Sequence, residues 1–341
     1  MLNKSLVTFS VLASIGMGAV SYAQPPRFRF QKNPEERHKL QVGKVNMEID
    51  AANGARIVSL KYGDTEVLSQ INFPNQYGST FWTSPQKEWN WPPVFEHDMA
   101  PYTVRQEGEA IVMTSPLSEK LPLRIVKRFE VDAKNQGFKV TYTLKNESAA
   151  PRKVAPWEIT RVLAKGSIFF DADVQKITPA GEMNFRRNGA GLAQYDIDHV
   201  EGKNRKINAD GKGWLSYVNN NLVLTKRFQD LTPEQPAPNE AEIQVYVHQG
   251  DAYVELESQG AYTELQPGDS LLWQVQWSLY PTDERAGEYI YPYRNPDLKT
   301  EERVENLLQM LTPEEKVGLM MNKSISVDRL DIPSYNWWSE A

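Results

Sequence analysis

The chain of 341 residues contains no cysteine. That absence excludes disulfides, a thiolate nucleophile and a lipid-modified cysteine, so stability has to come from an apolar core. Histidine is nearly as scarce, with four in the whole chain. His38 stands in a polar stretch, His199 in a loop with Asp196 and Asp198, His248 at the end of an apolar run, and His97 between Glu96 and Asp98. These groupings lack the number and spacing of ligands that a dedicated zinc site needs, so neither a metal nor another cofactor is expected. A basic excess is missing too. The net charge is −6, and without a basic stripe to meet phosphates, nucleic acid is not an expected partner. Amphipathic helical periodicity is absent from residues 42–280, which leaves strands to build the core.

Aromatics are abundant, with nine Trp and fifteen Tyr. Flat apolar rings edged with polar atoms suit sugar rings as well as cores. The one long apolar run lies at residues 6–20, behind Lys4 and ahead of Ser21-Tyr22-Ala23. A positive start, a short apolar run and small residues at the cleavage site form a secretory signal, residues 1–23, cut before Gln24. The mature protein is therefore expected in the periplasm or outside the cell, with no stable membrane anchor after cleavage. Residues 24–40, rich in Pro, Arg, Lys and Glu, read as a linker.

From Val42 onward alternation at period two recurs. Residues 45–49, 55–62, 65–68, 123–131, 138–144, 153–163, 213–217, 222–228 and 243–247 read as strands, with Asn53-Gly54 as a hairpin turn. The most regular stretch is Tyr253 to Tyr280. It places Tyr253, Glu255 and Glu257 on one strand face, turns at Pro267-Gly268-Asp269, and returns with Leu271, Trp273, Val275, Trp277 and Leu279 on another apolar face. So many strands at short spacing predict one large antiparallel sandwich over residues 41–282. Helical grammar starts only beyond the turn-rich connector at 283–294. Thr300 caps a helix with Val304, Leu307, Leu308 and Leu311 on one stripe, and Thr312-Pro313-Glu314-Glu315 is a capping box that opens a second. This tail, 295–341, should be poorly packed by itself.

Two further segments carry candidate chemistry. Phe81 to Pro93 reads as a loop holding Trp82, Trp89 and Trp91, with Gln86, Lys87 and Asn90 between them. It is either a rigid aromatic plug or a sugar platform whose indoles stack on a pyranose while the polar side chains bond its hydroxyls. Lys226 and Arg227 follow an apolar strand and offer a cation to the same pocket. His97 offers a titratable group beside it.

The succession GARIVSLKYGDTEVL, KNESAAPRKVAPWEITRV and VELESQ…ELQPGD resembles the galactose mutarotase-like (aldose 1-epimerase-like) β-supersandwich, and more closely an uncharacterised bacterial branch of that group. The resemblance implies a sugar site. Glu257, in Leu256-Glu257-Ser258-Gln259, matches the catalytic base of the epimerases, which removes the anomeric proton while an acid protonates the ring oxygen. The acid is a histidine in those enzymes. Here the matching strand reads Ala155-Pro156-Trp157-Glu158-Ile159-Thr160-Arg161, so Glu158 stands nearest the acid's place. It could serve only with a raised pKa, and alternation sets it on the face opposite Arg161. Trp157, Arg161 and Glu255 join the candidate substrate contacts.

The tail resembles a second family. Asn295-Pro296-Asp297-Leu298, Leu311-Thr312-Pro313-Glu314-Glu315-Lys316-Val317 and the run Arg329 to Ala341 are similar to the start of glycoside hydrolase family 3, the β-glucosidases and β-xylosidases. That resemblance implies that Glu340 contacts a sugar. It also implies that the helices begin a (β/α)8-type barrel whose catalytic carboxylates lie further downstream. The chain as it stands is then not expected to hydrolyse glycosides, while its parent is. Three readings follow: a module binding a mono- or oligosaccharide ahead of a family 3 glycosidase, an epimerase with Glu257 as base, or a purely structural packing domain.

Overall fold

Alternating apolar residues build two large antiparallel sheets in the computed structural model, which describes residues 37–71, 75–133, 135–188, 191–198, 202–282, 293, 299–327, 330 and 332–336. Residues 1–23, read above as a secretory signal, lie outside the described residues, as do His199 and Glu340. The first sheet runs Arg37–Val42, Val45–Asp50, Arg56–Tyr62, Ser79–Ser84, Arg152–Val162, Val254–Gln259, Ile243–Val247 and Arg205–Ala209, with Thr65–Glu66 and Thr263–Leu265 attached beside it. The second runs Arg186–Arg187, Ala193–Asp196, Ser167–Phe170, Trp214–Asn219, Leu222–Arg227, Ser270–Pro281, Gly137–Asn146, Leu123–Asp132, Ala110–Thr114 and Thr103–Glu107. The protein is thus mainly β, in the sandwich form the alternation predicts.

Three local expectations change. Arg37–Val42 pairs along Val45–Asp50, so the first strand starts inside the stretch read as linker, where Leu40 and Val42 find burial. Tyr253 to Tyr280 is not one hairpin. Its first half, Val254–Gln259, joins the first sheet and its second half, Ser270–Pro281, the second. Pro267-Gly268-Asp269 still turns the chain, with Gly268 at φ +87°, but between layers. Phe81 to Ser84, read as loop, is strand, and only a 3₁₀ turn at Gln86–Glu88 and one helical turn at Phe95–Asp98 follow it. The predicted Asn53-Gly54 turn holds. Gly54 sits at φ +64°, and a Cβ there would lie 2.2 Å from the Asp98 carbonyl oxygen.

The sheets close on a core in which Phe81 stacks on Tyr142 at 4.2 Å and Trp273, Val275, Trp277 and Leu279 are buried. The tail packs only in part, with Val317, Met320, Met321 and Ile325 exposed. The helix Thr300–Met310 begins after Lys299 as N-cap, with no side-chain cap, whereas Pro313–Leu319 has the full Thr312–Glu315 capping box. Leu311, Val327, Leu330 and Tyr293 form a second apolar cluster with Phe169, Leu192, Trp214, Val218 and Val223 of the second sheet. Val304 and Leu308, from the same predicted stripe, are exposed. No helix among the described residues is long and apolar enough to cross a membrane.

Charge is buried between the sheets as well. Lys226 Nζ lies 2.9 Å from Glu158 Oε1 and donates to Thr160 Oγ1 at 2.9 Å and the Leu256 carbonyl at 3.2 Å. The other Glu158 oxygen accepts from the Tyr142 hydroxyl. Both side chains are fully buried. Removing one partner of such a pair leaves an uncompensated charge, whereas replacing both with apolar groups does not. Lys226→Met is therefore expected to destabilise the protein by about 3–5 kcal/mol in urea titration of the full chain, and adding Glu158→Leu should recover most of that loss.

Candidate functional site

Three adjacent strands of the first sheet set the site. Arg152–Val162 lies between Ser79–Ser84 and Val254–Gln259, with Trp157 opposite Trp82 and Gln259, Ile159 opposite Glu257, and Arg161 opposite Glu255. The next two strands place Gln244 opposite Glu257, Tyr246 opposite Glu255, and Lys206 opposite Tyr246. Alternation puts these side chains on one face. Glu158 and Thr160 point the other way, to Lys226 between the sheets. The structure therefore brings Trp82, Trp157, Arg161, Glu255 and Glu257 together and holds Glu158 and Lys226 apart from them. Glu158 is on the wrong face to act as the acid partner of Glu257, and Lys226 serves as its counter-ion.

Glu257 is fully buried. One carboxylate oxygen accepts from Trp157 Nε1 and from Lys206 Nζ, both at 2.9 Å. The other, Oε1, has no hydrogen-bond partner among the described residues. Burial pushes the carboxyl up to about 7, the neighbouring Glu255 adds to that, and Lys206 and the indole N–H offset it only in part. Lys206, still 37% exposed, also lies over the Trp157 ring at 5.0 Å. It supplies the cation that the sequence reading assigned to Lys226. A lone lysine in a five-residue strand gave no signal by which to find it.

Arg161 Nε lies 2.9 Å from Glu255 Oε1, and the guanidinium sits 5.5 Å from the Trp82 ring and 5.7 Å from the Tyr253 ring. Its terminal nitrogens, fully buried, have no aligned hydrogen-bond partner among the described residues. Gln244 and Gln259 each donate to Glu240 Oε2, at 2.7 and 3.1 Å, which leaves their buried Oε1 atoms without a partner. Both glutamines were missed by sequence reading, although Gln259 closes the Leu-Glu-Ser-Gln motif. Below them, Asp98 Oδ1 accepts from Trp82 Nε1 at 2.9 Å and from Arg56 at 3.2 Å. Burial pushes the Asp98 carboxyl up, but Arg56, Thr80 and Trp82 together outweigh it and hold it below the usual range.

The aromatic segment divides between the two readings offered for it. Trp89 is buried, donates its N–H to the Thr83 carbonyl at 2.8 Å, and meets Trp82 edge-on at 5.7 Å: it is packing. Trp91 is 57% exposed and also stands edge-on to Trp82, at 6.1 Å, as Trp157 does at 5.4 Å. Gln86 is half-buried, while Lys87 and Asn90 are exposed. His97 is buried, bonded through Nε2 to the Leu123 carbonyl at 2.9 Å, and burial lowers its pKa. It braces the one-turn helix between the layers. Among the described residues no group of three or more His, Cys, Asp or Glu could hold a metal ion.

Comparison with known proteins gives two likenesses, and no family model matches the chain. A stretch of 51 residues is 47% identical to β-xylosidase/α-L-arabinofuranosidase 2 of Medicago sativa subsp. varia, covering 15% of this chain and 7% of that protein. Over 56 residues the chain is 48% identical to xylan 1,4-β-xylosidase of Xylanibacter ruminicola, covering 16% of this chain and 6% of that protein. The chain matches less than a tenth of the length of these relatives. In structure, a putative aldose 1-epimerase from Escherichia coli K12 superimposes over 72% of this chain and 99% of its own with a TM-score of 0.50 and 10% identity. A galactose mutarotase-like protein from Lactobacillus casei does so over 72% and 100%, with a TM-score of 0.50 and 14% identity. At such identities the likeness is one of fold: the sandwich is galactose mutarotase-like, and a short stretch of the chain is β-xylosidase-like.

The buried Glu257 carboxyl has a measurable consequence. Its proton is held more tightly in the folded state than in the unfolded one, so the stabilising contribution is complete below the ordinary value of 4.5 and is lost as pH rises through about 7. Unfolding free energies of wild type and Glu257→Gln, measured from pH 4 to 8, should differ increasingly against the wild type up to neutrality and then level off. Glu242, also pushed by burial to about 7, titrates in both proteins and cancels in the difference. A difference independent of pH would place the proton elsewhere.

Proposed function

We propose that this galactose mutarotase-like sandwich is a sugar-binding module, exported and joined to a β-xylosidase-type glycosidase domain whose first residues are 295–341. The observation that carries the reading is the set of buried polar atoms without partners among the described residues: acceptors on Glu257, Gln244 and Gln259, and donors on Arg161. Buried polar groups are normally paired. Exceptions occur elsewhere too, at Arg56, Trp273 and Trp277 for example, but these four side chains share one strand face, where a ligand or ordered water would meet them together. Hydroxyls both donate and accept, so a polyol satisfies a mixed set of this kind, whichever way each amide is turned. Trp82 and Trp157 are buried beneath Arg161 and Lys206, and the exposed Trp91, edge-on to Trp82, offers the accessible ring for the C–H face of a pyranose. The β-xylosidase-like stretch supports a pentose or hexose of plant-wall type as ligand. Glu340, outside the described residues, is proposed as a sugar contact only within the glycosidase part.

A second reading, mutarotation, is favoured by one contact. Glu257 is positioned to take the proton of an anomeric hydroxyl, and the charged donor beside it is Lys206, 2.9 Å away, not Glu158 or a histidine. Protonation of the ring oxygen by that ammonium would let the ring open and reclose on its other face.

Calorimetry of the full chain with xylose, glucose and their oligosaccharides tests binding. Glu257→Gln and Trp91→Ala are each expected to weaken it by roughly tenfold or more, the worth of one charge-assisted hydrogen bond or one stacked ring. Unaltered affinity in a folded Glu257→Gln protein would sink the sugar site. Proton NMR of a freshly dissolved α-anomer separates the two readings: a module that only binds leaves the interconversion rate at that of buffer, whereas an epimerase accelerates it and loses that acceleration in Glu257→Gln and Lys206→Met.

A further inference from the structure

We infer that the cleft at the foot of the same strands is a second sugar subsite, so that the ligand is an oligosaccharide rather than a monosaccharide. This rests on the sugar-binding reading above. The cleft has a volume of about 260 Å³ and is lined by Ser84, Glu88, Arg152, Lys153 and Tyr262, among others. It lies further along the strand pair that carries the two tryptophans. Ser84 faces Ala155 across the pair, two positions beyond Trp82 and Trp157, and two strand residues span about 7 Å, within the reach of a disaccharide. Lys153 faces Glu264 in the next pairing, so Lys153, Ala155 and Trp157 share a face with Tyr262 and Glu264.

The lining has a recognisable chemistry. Ser84 is 1% exposed, and its Oγ has no hydrogen-bond partner among the described residues. A buried hydroxyl left unpaired costs free energy unless a ligand or water meets it. Lys153 Nζ lies over the Tyr262 ring at 4.7 Å, which holds an ammonium and an aromatic face side by side at the rim. Arg152 and Lys153 are opposed by Glu88, so the cleft has donors and acceptors of both signs and suits a neutral polyol better than an anion. Its volume of about 260 Å³ falls just below the usual range for small-molecule sites, so it holds no more than one sugar ring. Trp89, next to Glu88 in the chain, is packed edge-on to Trp82 and has its indole N–H already used on the Thr83 carbonyl.

The test is chain-length dependence. The full chain is titrated calorimetrically with xylose, xylobiose and xylotriose, and in parallel with glucose, cellobiose and cellotriose. The wild type should bind a disaccharide roughly tenfold more tightly than its monosaccharide. Ser84→Ala removes only an unpaired oxygen and keeps the fold, and Tyr262→Ala removes the ring. Both should lower disaccharide affinity to the monosaccharide level while monosaccharide affinity stays put. Equal affinities for one and two sugar residues in the wild type overturn the subsite and leave the first site standing. Parallel loss of both ligands in the variants overturns it too. No binding of any sugar brings down both readings together.

Discussion

Two neighbouring strands, Arg152–Val162 and Val254–Gln259, have both faces buried, and both faces carry charge. Everything else in the sandwich depends on the period of two that keeps those faces apart. A one-residue slip in their pairing would exchange Glu158 with Trp157 and Glu257 with Ser258, driving each ionisable group into surroundings built for the other. Each carboxylate has its own cation from a different strand: Lys226 reaches Glu158 from the second sheet, and Lys206 reaches Glu257 along the first. Charges this deep are costly to desolvate, and the pairing is what makes each tolerable. Register is therefore fixed electrostatically as well as by apolar pattern.

The inner pair and the outer pair differ in what is left over. Between the sheets the polar groups converge on one another: Lys226 has a hydroxyl, a carbonyl and a carboxylate, and Glu158 adds the Tyr142 hydroxyl. On the other face the same economy is missing. Glu257, Gln244, Gln259 and Arg161 each retain an atom with nothing aligned to it among the described residues. One network is met within itself, and the other retains unmet donors and acceptors.

Much of this architecture was legible in the chain, because apolar alternation reports burial directly. Ile243–Val247 is found to the residue, and the Thr312 capping box is found with its proline. What failed were inferences that needed partners distant in sequence. The Pro267-Gly268-Asp269 turn was read correctly, yet nothing local says that the strands it joins belong to different layers. Trp89 and Trp91 look alike in sequence, and only a hydrogen bond to the Thr83 carbonyl makes one of them packing while the other stays exposed. His97, the best-placed histidine on paper, was claimed by the carbonyl of Leu123, far along the chain. Glu257 was found through motif resemblance, but its cation lies on a strand too short and too polar to announce itself.

The tail's hold on the sandwich has a mechanical side. Leu311, Val327 and Leu330 grip the second sheet through Phe169, Trp214 and Val223, whereas Glu257 and its neighbours lie buried on the first. Two packed sheets lie about 10 Å apart, so the grip and the face that carries Glu257 are the handle and the blade of one tool. A load applied through the helices spreads into the broad inner contact between the layers before it reaches the strands that carry Glu257. Whatever is fastened at the handle can be pulled or turned without prising the blade open.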